Sequence, residues 1–249
     1  MLDLELIEFE RPALDDVVTP DDVRRRLAQL QLDEGAGVDD FISCARGCES
    51  FDMAQEAFRA YSIAIERKSD RGEAYLGRAE IGFGLCLIDE NDGERSKRAD
   101  QVIEDYRRSL ELSKEHFERG ALGLAMTLLL VNRVAECSDW LDQMAARGGR
   151  DRSEQTDRLF LVAFCRLFSG DVEEARTIAE RIESLQGSNE DSVFINGACA
   201  LFSGDREEAK DCRELLERKE SRLATSLSSL EDQGCETFLN VARARIRLH

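Results

Sequence analysis

The pentapeptide LFSGD occurs twice, at residues 167–171 and 201–205, 34 positions apart. Each copy continues, after one variable residue, into EEA, ending at Ala175 and Ala209, and Cys165 and Cys199 keep the same interval. Self-similarity at this period belongs to arrays in which every repeat is one helix–turn–helix unit. Such a unit cannot bury its apolar face alone, so neighbours stack and the two ends need caps. The chain is therefore expected to be all-α and to work through its surface.

The pattern resembles the tetratricopeptide repeat, which carries a small residue in the first helix, a Gly–Asp-type turn and an alanine packed in the second helix. With Ala175 and Ala209 in that alanine position, the repeats run over 156–189 and 190–223, and Ala163 and Gly197 are their first-helix small residues. Counting backwards gives a repeat at 38–71, with Ala45 in its first helix and Ala57, Tyr61 and Ala64 in its second. Degenerate copies follow at 72–117, with Tyr75 and Ala79, and at 118–155, with Leu124, Ala125 and Cys137. The resemblance implies a right-handed α-α superhelix of about five helical hairpins over 38–223. The two prolines, Pro12 and Pro20, lie outside this array, and Ser69, Gly149 and Gly187 take the usual closing proline's place. Glycine suits that place because helices commonly end on a left-handed residue. The second repeat carries an insertion, IDENDGERSKR at 88–98, whose charge and glycine predict a loop.

The flanks read as caps. Residues 1–37 form an extension ending in a helix that Thr19 and Pro20 begin, followed by acids. Residues 224–249 predict one or two further helices, broken near Gly234, over the open face of the last repeat. No apolar run reaches membrane-spanning length, and the acidic opening lacks a signal peptide's basic region. These features predict a cytoplasmic protein.

Eight cysteines are scattered as single residues, except Cys44 and Cys48 one helical turn apart. Free cysteine packs as a small hydrophobe, and no second cysteine pair or nearby histidine completes a tetrahedral set around that turn. With His116 and His249 the only histidines, the common general-base constellations lack their usual member. Gly82–Gly84 lacks the Lys–Ser/Thr ending of a phosphate loop. The expectation is no enzyme, no cofactor and no metal.

The balance of 34 basic against 52 acidic residues gives a net charge of −18. That disfavours nucleic acid, whose binding relies on basic neutralisation of phosphates, and an anionic membrane. It favours a protein or peptide with basic flanks. Arg243, Arg245 and Arg247 form a local basic exception, read as complementing a helix dipole, with an anionic partner as the alternative.

The resemblance also implies that first helices line a concave groove. In the third repeat Leu122, Met126, Leu129 and Leu130 take groove positions. In the fourth these are Phe160, Phe164, Leu167 and Phe168, and in the fifth Phe194, Leu201 and Phe202. The first two repeats place more polar residues there, including Asp39, Arg46, Glu49, Ser50, Glu73 and Glu80. A contiguous apolar groove is an interaction site, and its methionine and aromatics suit an apolar or amphipathic segment. The expected function is thus a protein–protein interaction scaffold. An acidic secretion or assembly chaperone and a self-associating structural subunit are the alternatives. Two further alternatives are that the opening segment LDLELIEF or the C-terminal helix fills the groove, and that it closes into ordinary core. On the groove reading, Phe164→Ser with Phe168→Ser abolishes capture and leaves helicity intact.

Overall fold

A computed structural model describes residues 19–67, 70–89, 91–113, 117–147 and 152–233. Both histidines, Ser69, Gly149, the opening segment 2–9, Gly234 and the three C-terminal arginines lie outside the described residues.

Twelve helices and no strands are formed by the described residues. They are α1 Pro20–Leu32, α2 Val38–Glu49, α3 Ala54–Glu66, α4 Gly72–Ile88, α5 Asp92–Leu112 and α6 Phe117–Leu130. The remainder are α7 Val134–Arg147, α8 Arg152–Phe168, α9 Val172–Gln186, α10 Glu190–Ser203, α11 Arg206–Arg218 and α12 Leu223–Gln233. Helices α2 to α11 make five hairpins, with α1 and α12 as flanking helices. The chain divides into two compact units within α6, one over residues 4–124 and one over residues 125–248.

The LFSGD copies owe their identity to the turn they build. Gly170 and Gly204 adopt φ of +82° and +80°, a region that costs a side chain but not glycine. The turn closes when the Asp171 N–H donates to the Arg166 carbonyl and the Asp205 N–H to the Ala200 carbonyl, each at 2.8 Å. Each aspartate then caps the next helix, Asp171 accepting from the Glu174 N–H and Asp205 from the Glu208 N–H. Ala175 and Ala209 follow one turn later, buried against the partner helix. Hairpins one and three build the same turn without glycine, through Asp52 at φ 56° and Asn132 at φ 58°. Asp and Asn are the residues that tolerate this region best after glycine.

Thr19 caps α1 as expected, accepting from the Asp22 N–H at 3.3 Å. Gly187 ends α9 at φ 76°. The insertion at 88–98 departs from the expected loop: Asn91 accepts from the N–H groups of Gly93 and Glu94, and α5 starts at Asp92. A good N-cap followed by strong helix formers outweighs one glycine.

In the first unit α1 packs on α2, α2 on α3, α3 on α4 and α4 on α5. Two close crossings seat neighbouring hairpins. The Tyr61 ring of α3 lies over Gly77 of α4, where an added Cβ would meet its Cζ at 2.3 Å. The Tyr106 ring of α5 lies over Gly123 of α6, where an added Cβ would meet its hydroxyl at 2.5 Å. Both tyrosines are 2% exposed. Gly77→Ala should therefore cost about 1–3 kcal/mol by forcing the ring aside. Gly84→Ala on the same helix meets nothing within 4 Å and should be neutral or stabilise by up to about 1 kcal/mol. Thermal melts of the two variants check the contrast, and an unchanged melt for Gly77→Ala would contradict the crossing.

In the second unit α7 packs on α8, α8 on α9, α9 on α10 and α10 on α11, and α8 also touches α10. Helix α12 covers α10 and α11, its Leu227 lying against Gly197. The repeat-equivalent Cys165 and Cys199 are buried, as are Ala163 and Ala198.

Candidate functional site

The apolar first-helix residues of the second unit separate into a floor and a rim. Phe160, Phe164, Leu167 and Phe194 are at most 2% exposed. Their rings pack with centroids 5.1 Å apart for Phe160–Phe164, 5.7 Å for Phe164–Phe194 and 6.1 Å for Phe160–Phe194. Phe168 joins Phe164 at 5.8 Å and is half-buried. Leu129 is also buried, while Met126, Leu130 and Leu201 are half-buried. Phe202 reaches solvent with 46% of its surface. Leu122 is half-buried and belongs to the first unit.

This burial changes the substitution that can test the face. Phe164 holds three other rings, so Phe164→Ser removes core, and the expectation that helicity survives it is corrected. Phe202 is the exposed member of this face, with Met126, Leu130, Phe168 and Leu201 half-buried.

The first-helix face of the first unit is an ionic ladder. Asp39 pairs with Arg71 at 3.3 Å, Glu73 with Arg46, and Glu80 with Arg119. Arg119 was not among the groove residues singled out from sequence, although its position in the repeat matches that of Asp39 and Glu73. Each pair links successive first helices or their caps, so this polar strip joins hairpins rather than standing as isolated surface charge. Burial pushes the Glu80 carboxyl up to about 7, against the pull of Arg119. Burial also raises the Glu49 carboxyl, against the pull of Arg119 and Arg46.

The cysteines are packing residues. Cys44 donates towards the Val23 carbonyl at 4.0 Å, and Cys137 towards the Ala125 carbonyl at 3.3 Å. The hydrogen bond with Cys44 and burial together hold the Cys48 thiol well above its ordinary range. Among the described residues no three metal-ligating side chains come together. No described helix is long and apolar enough to cross a membrane.

No protein-family model matches the sequence, and no curated protein matches it significantly. Solved structures do resemble it. One is YrrB, a TPR protein with an unusual peptide-binding site, with a TM-score of 0.53 and 14% identity over 90% of this chain and 98% of that one. Another is pilF of Pseudomonas aeruginosa, with a TM-score of 0.56 and 12% identity over 84% of this chain and 90% of that one. At such identities the likeness is one of fold. The chain has the all-α helical-repeat fold of the tetratricopeptide-like solenoids.

Proposed function

We propose that this chain is a non-catalytic protein–protein interaction scaffold that takes an apolar or amphipathic protein segment on the first-helix face of its C-terminal hairpins. The observation that carries this reading is the graded aromatic face: a floor of packed rings, half-buried Phe168 and Leu201, and Phe202 at 46% exposure. A large exposed aromatic beside a rigid apolar floor is the arrangement of an interface anchor. Half-buried Met126 and Leu130 continue the apolar lining on α6. The peptide-binding site named for YrrB supports the reading by analogy of fold. A net charge of −18 favours basic flanks on the partner and disfavours nucleic acid or an anionic membrane. Free thiols, buried at Cys44, Cys48, Cys86, Cys137, Cys165 and Cys199, fit a reducing cytoplasm.

The test is a photo-crosslinker placed at position 202 and, separately, at Thr177, which is exposed on α9. Position 202 should trap a discrete protein, and Phe168→Ser should reduce that trapping about ten-fold, as loss of an aromatic anchor does. Trapping at Thr177 alone would move the interface to the second-helix face. A product made only of two copies of this chain would establish self-association instead.

A further inference from the structure

The last described helix fixes where the rest of the chain begins. Helix α12 runs parallel to α10. The Ser221 hydroxyl, just before α12, donates to a Glu190 carboxylate oxygen at the start of α10 at 2.6 Å, and Leu227 lies against Gly197 further along. Gln233, the end of α12, lies as many residues beyond Leu227 as Ser203, the end of α10, lies beyond Gly197. Helices rise equally per residue, so the chain leaves α12 level with Phe202. Residues 234–249 start from that point.

That segment has the chemistry of the face it starts beside. Residues 242–248 read ARARIRL. In an extended chain successive side chains point to opposite sides, so Ala244, Ile246 and Leu248 share one edge and Arg243, Arg245 and Arg247 the other. Phe168, Leu201 and Phe202 are the apolar half of the receiving surface. The acidic half is the two turns that follow, where residues 169–174 read SGDVEE and 203–208 read SGDREE, with Arg206 as their one base. Asp171, Glu173, Asp205 and Glu207 are exposed there, and the carbonyl ends of α8 and α10 add negative partial charge. Helix α8 touches α10. Neighbouring helices stand about 8–10 Å apart and alternate residues of an extended chain about 7 Å, so Ile246 and Leu248 cover the step from Phe202 to Phe168. The repeat register speaks against the other use of this segment, as the second helix of a sixth hairpin. One period on from Ala175 and Ala209, both buried, stands Arg243, and a guanidinium is costly where a methyl packs between helices.

We propose that residues 242–248 of this chain dock in extended form on the Phe168–Phe202 face, with their apolar edge on the rings and their arginines over the acidic turns. The proposal rests on the reading of that face as a docking surface and adds its regulation. The chain's own segment holds the face until a partner segment with the same apolar and basic edges displaces it.

The experiment uses the purified full chain with benzoylphenylalanine at position 202, which keeps a ring there, and maps the photoproduct by peptide mass. The expected product is a link from position 202 to residues 242–248, and mixing isotopically light and heavy copies should show that it forms within one chain. Arg243→Ser, Arg245→Ser and Arg247→Ser together should lower its yield about ten-fold, and ~1 M salt should act alike, because exposed ion pairs are screened. An unchanged yield in that variant would overturn the proposal. The control carries the same crosslinker at Lys210, which is exposed on α11 and stands one period on from Arg176. Arg176 pairs with Glu208 of the next second helix at 2.6 Å, so Lys210 faces the place a sixth hairpin's second helix would take. A link from position 210 to the segment, with none from position 202, would overturn the proposal in favour of that helix. A link found only between light and heavy copies would overturn it in favour of exchange between two molecules. No link from position 202 in the purified chain, with a discrete protein trapped there in cells, would overturn it and leave the apolar-segment reading standing, whereas no product in either setting would remove both.

Discussion

Phe164→Ala is expected to lower the free energy of unfolding by about 3–5 kcal/mol, the range for truncating a fully buried phenylalanine. Phe164 is 1% exposed and sits between three rings, with centroid distances of 5.1 Å to Phe160, 5.7 Å to Phe194 and 5.8 Å to Phe168. Removing it forfeits the transfer energy of the ring and leaves a void that three rigid neighbours fill poorly. Because Phe194 belongs to α10 and the other rings to α8, the void lies at the contact between two hairpins. Urea melts read the loss as a lower midpoint with little change in slope. Phe202→Ala is the comparison, because its ring is already 46% exposed, and its cost should stay near 0.5 kcal/mol, ~the usual limit for a surface change. Equal costs for the two variants would place Phe164 on an open surface.

Asp105→Ala is expected to cost about 3–5 kcal/mol, because it strands a buried guanidinium. Arg78 of α4 donates from Nε to Oδ2 and from one terminal nitrogen to Oδ1 of Asp105 in α5, both at 2.7 Å. The two side chains are 13% and 3% exposed. Gln101 also donates to Asp105, at 3.1 Å, and Arg78 reaches the Ser62 hydroxyl at 3.4 Å, so the pair ties α3, α4 and α5 together. Replacing both partners, Arg78→Met with Asp105→Leu, should recover most of the loss, since neither charge then remains buried. A double variant as unstable as Asp105→Ala alone would mean that the geometry of the pair, not the stranded charge, holds these helices.

Much of the fold was legible because its determinants are local. The Gly–Asp of LFSGD is both a left-handed helix stop and the cap of the next helix, so five letters encode a complete turn. Thr19–Pro20 and Gly187 were readable for the same reason. Asp52 and Asn132 were harder to read, because Asp and Asn occupy left-handed turns and ordinary surface alike. The insertion misled because one glycine was weighed as a breaker, while Asn91 supplied a cap that starts α5 at once.

The candidate faces were legible in composition but not in exposure. Repeat register placed Phe160, Phe164, Phe168, Phe194 and Phe202 on one side of their helices, since the helical period assigns residues to a stripe. It did not say which rings would bury one another, because that depends on how far apart two first helices sit. Likewise, register marked Glu49 and Glu80 as groove residues, but not that Tyr61 and Tyr106 would pack across Gly77 and Gly123. The sequence by itself determined the helices, their turns and the tetratricopeptide-like hairpin order, all set within about 34 residues by capping, period and left-handed stops. Only the tertiary structure decided which aromatics are floor and which are rim, and which acids of the first-helix face pair with which arginines. Those outcomes follow from side chains meeting across helices, where a missing Cβ or one extra ring sets the spacing.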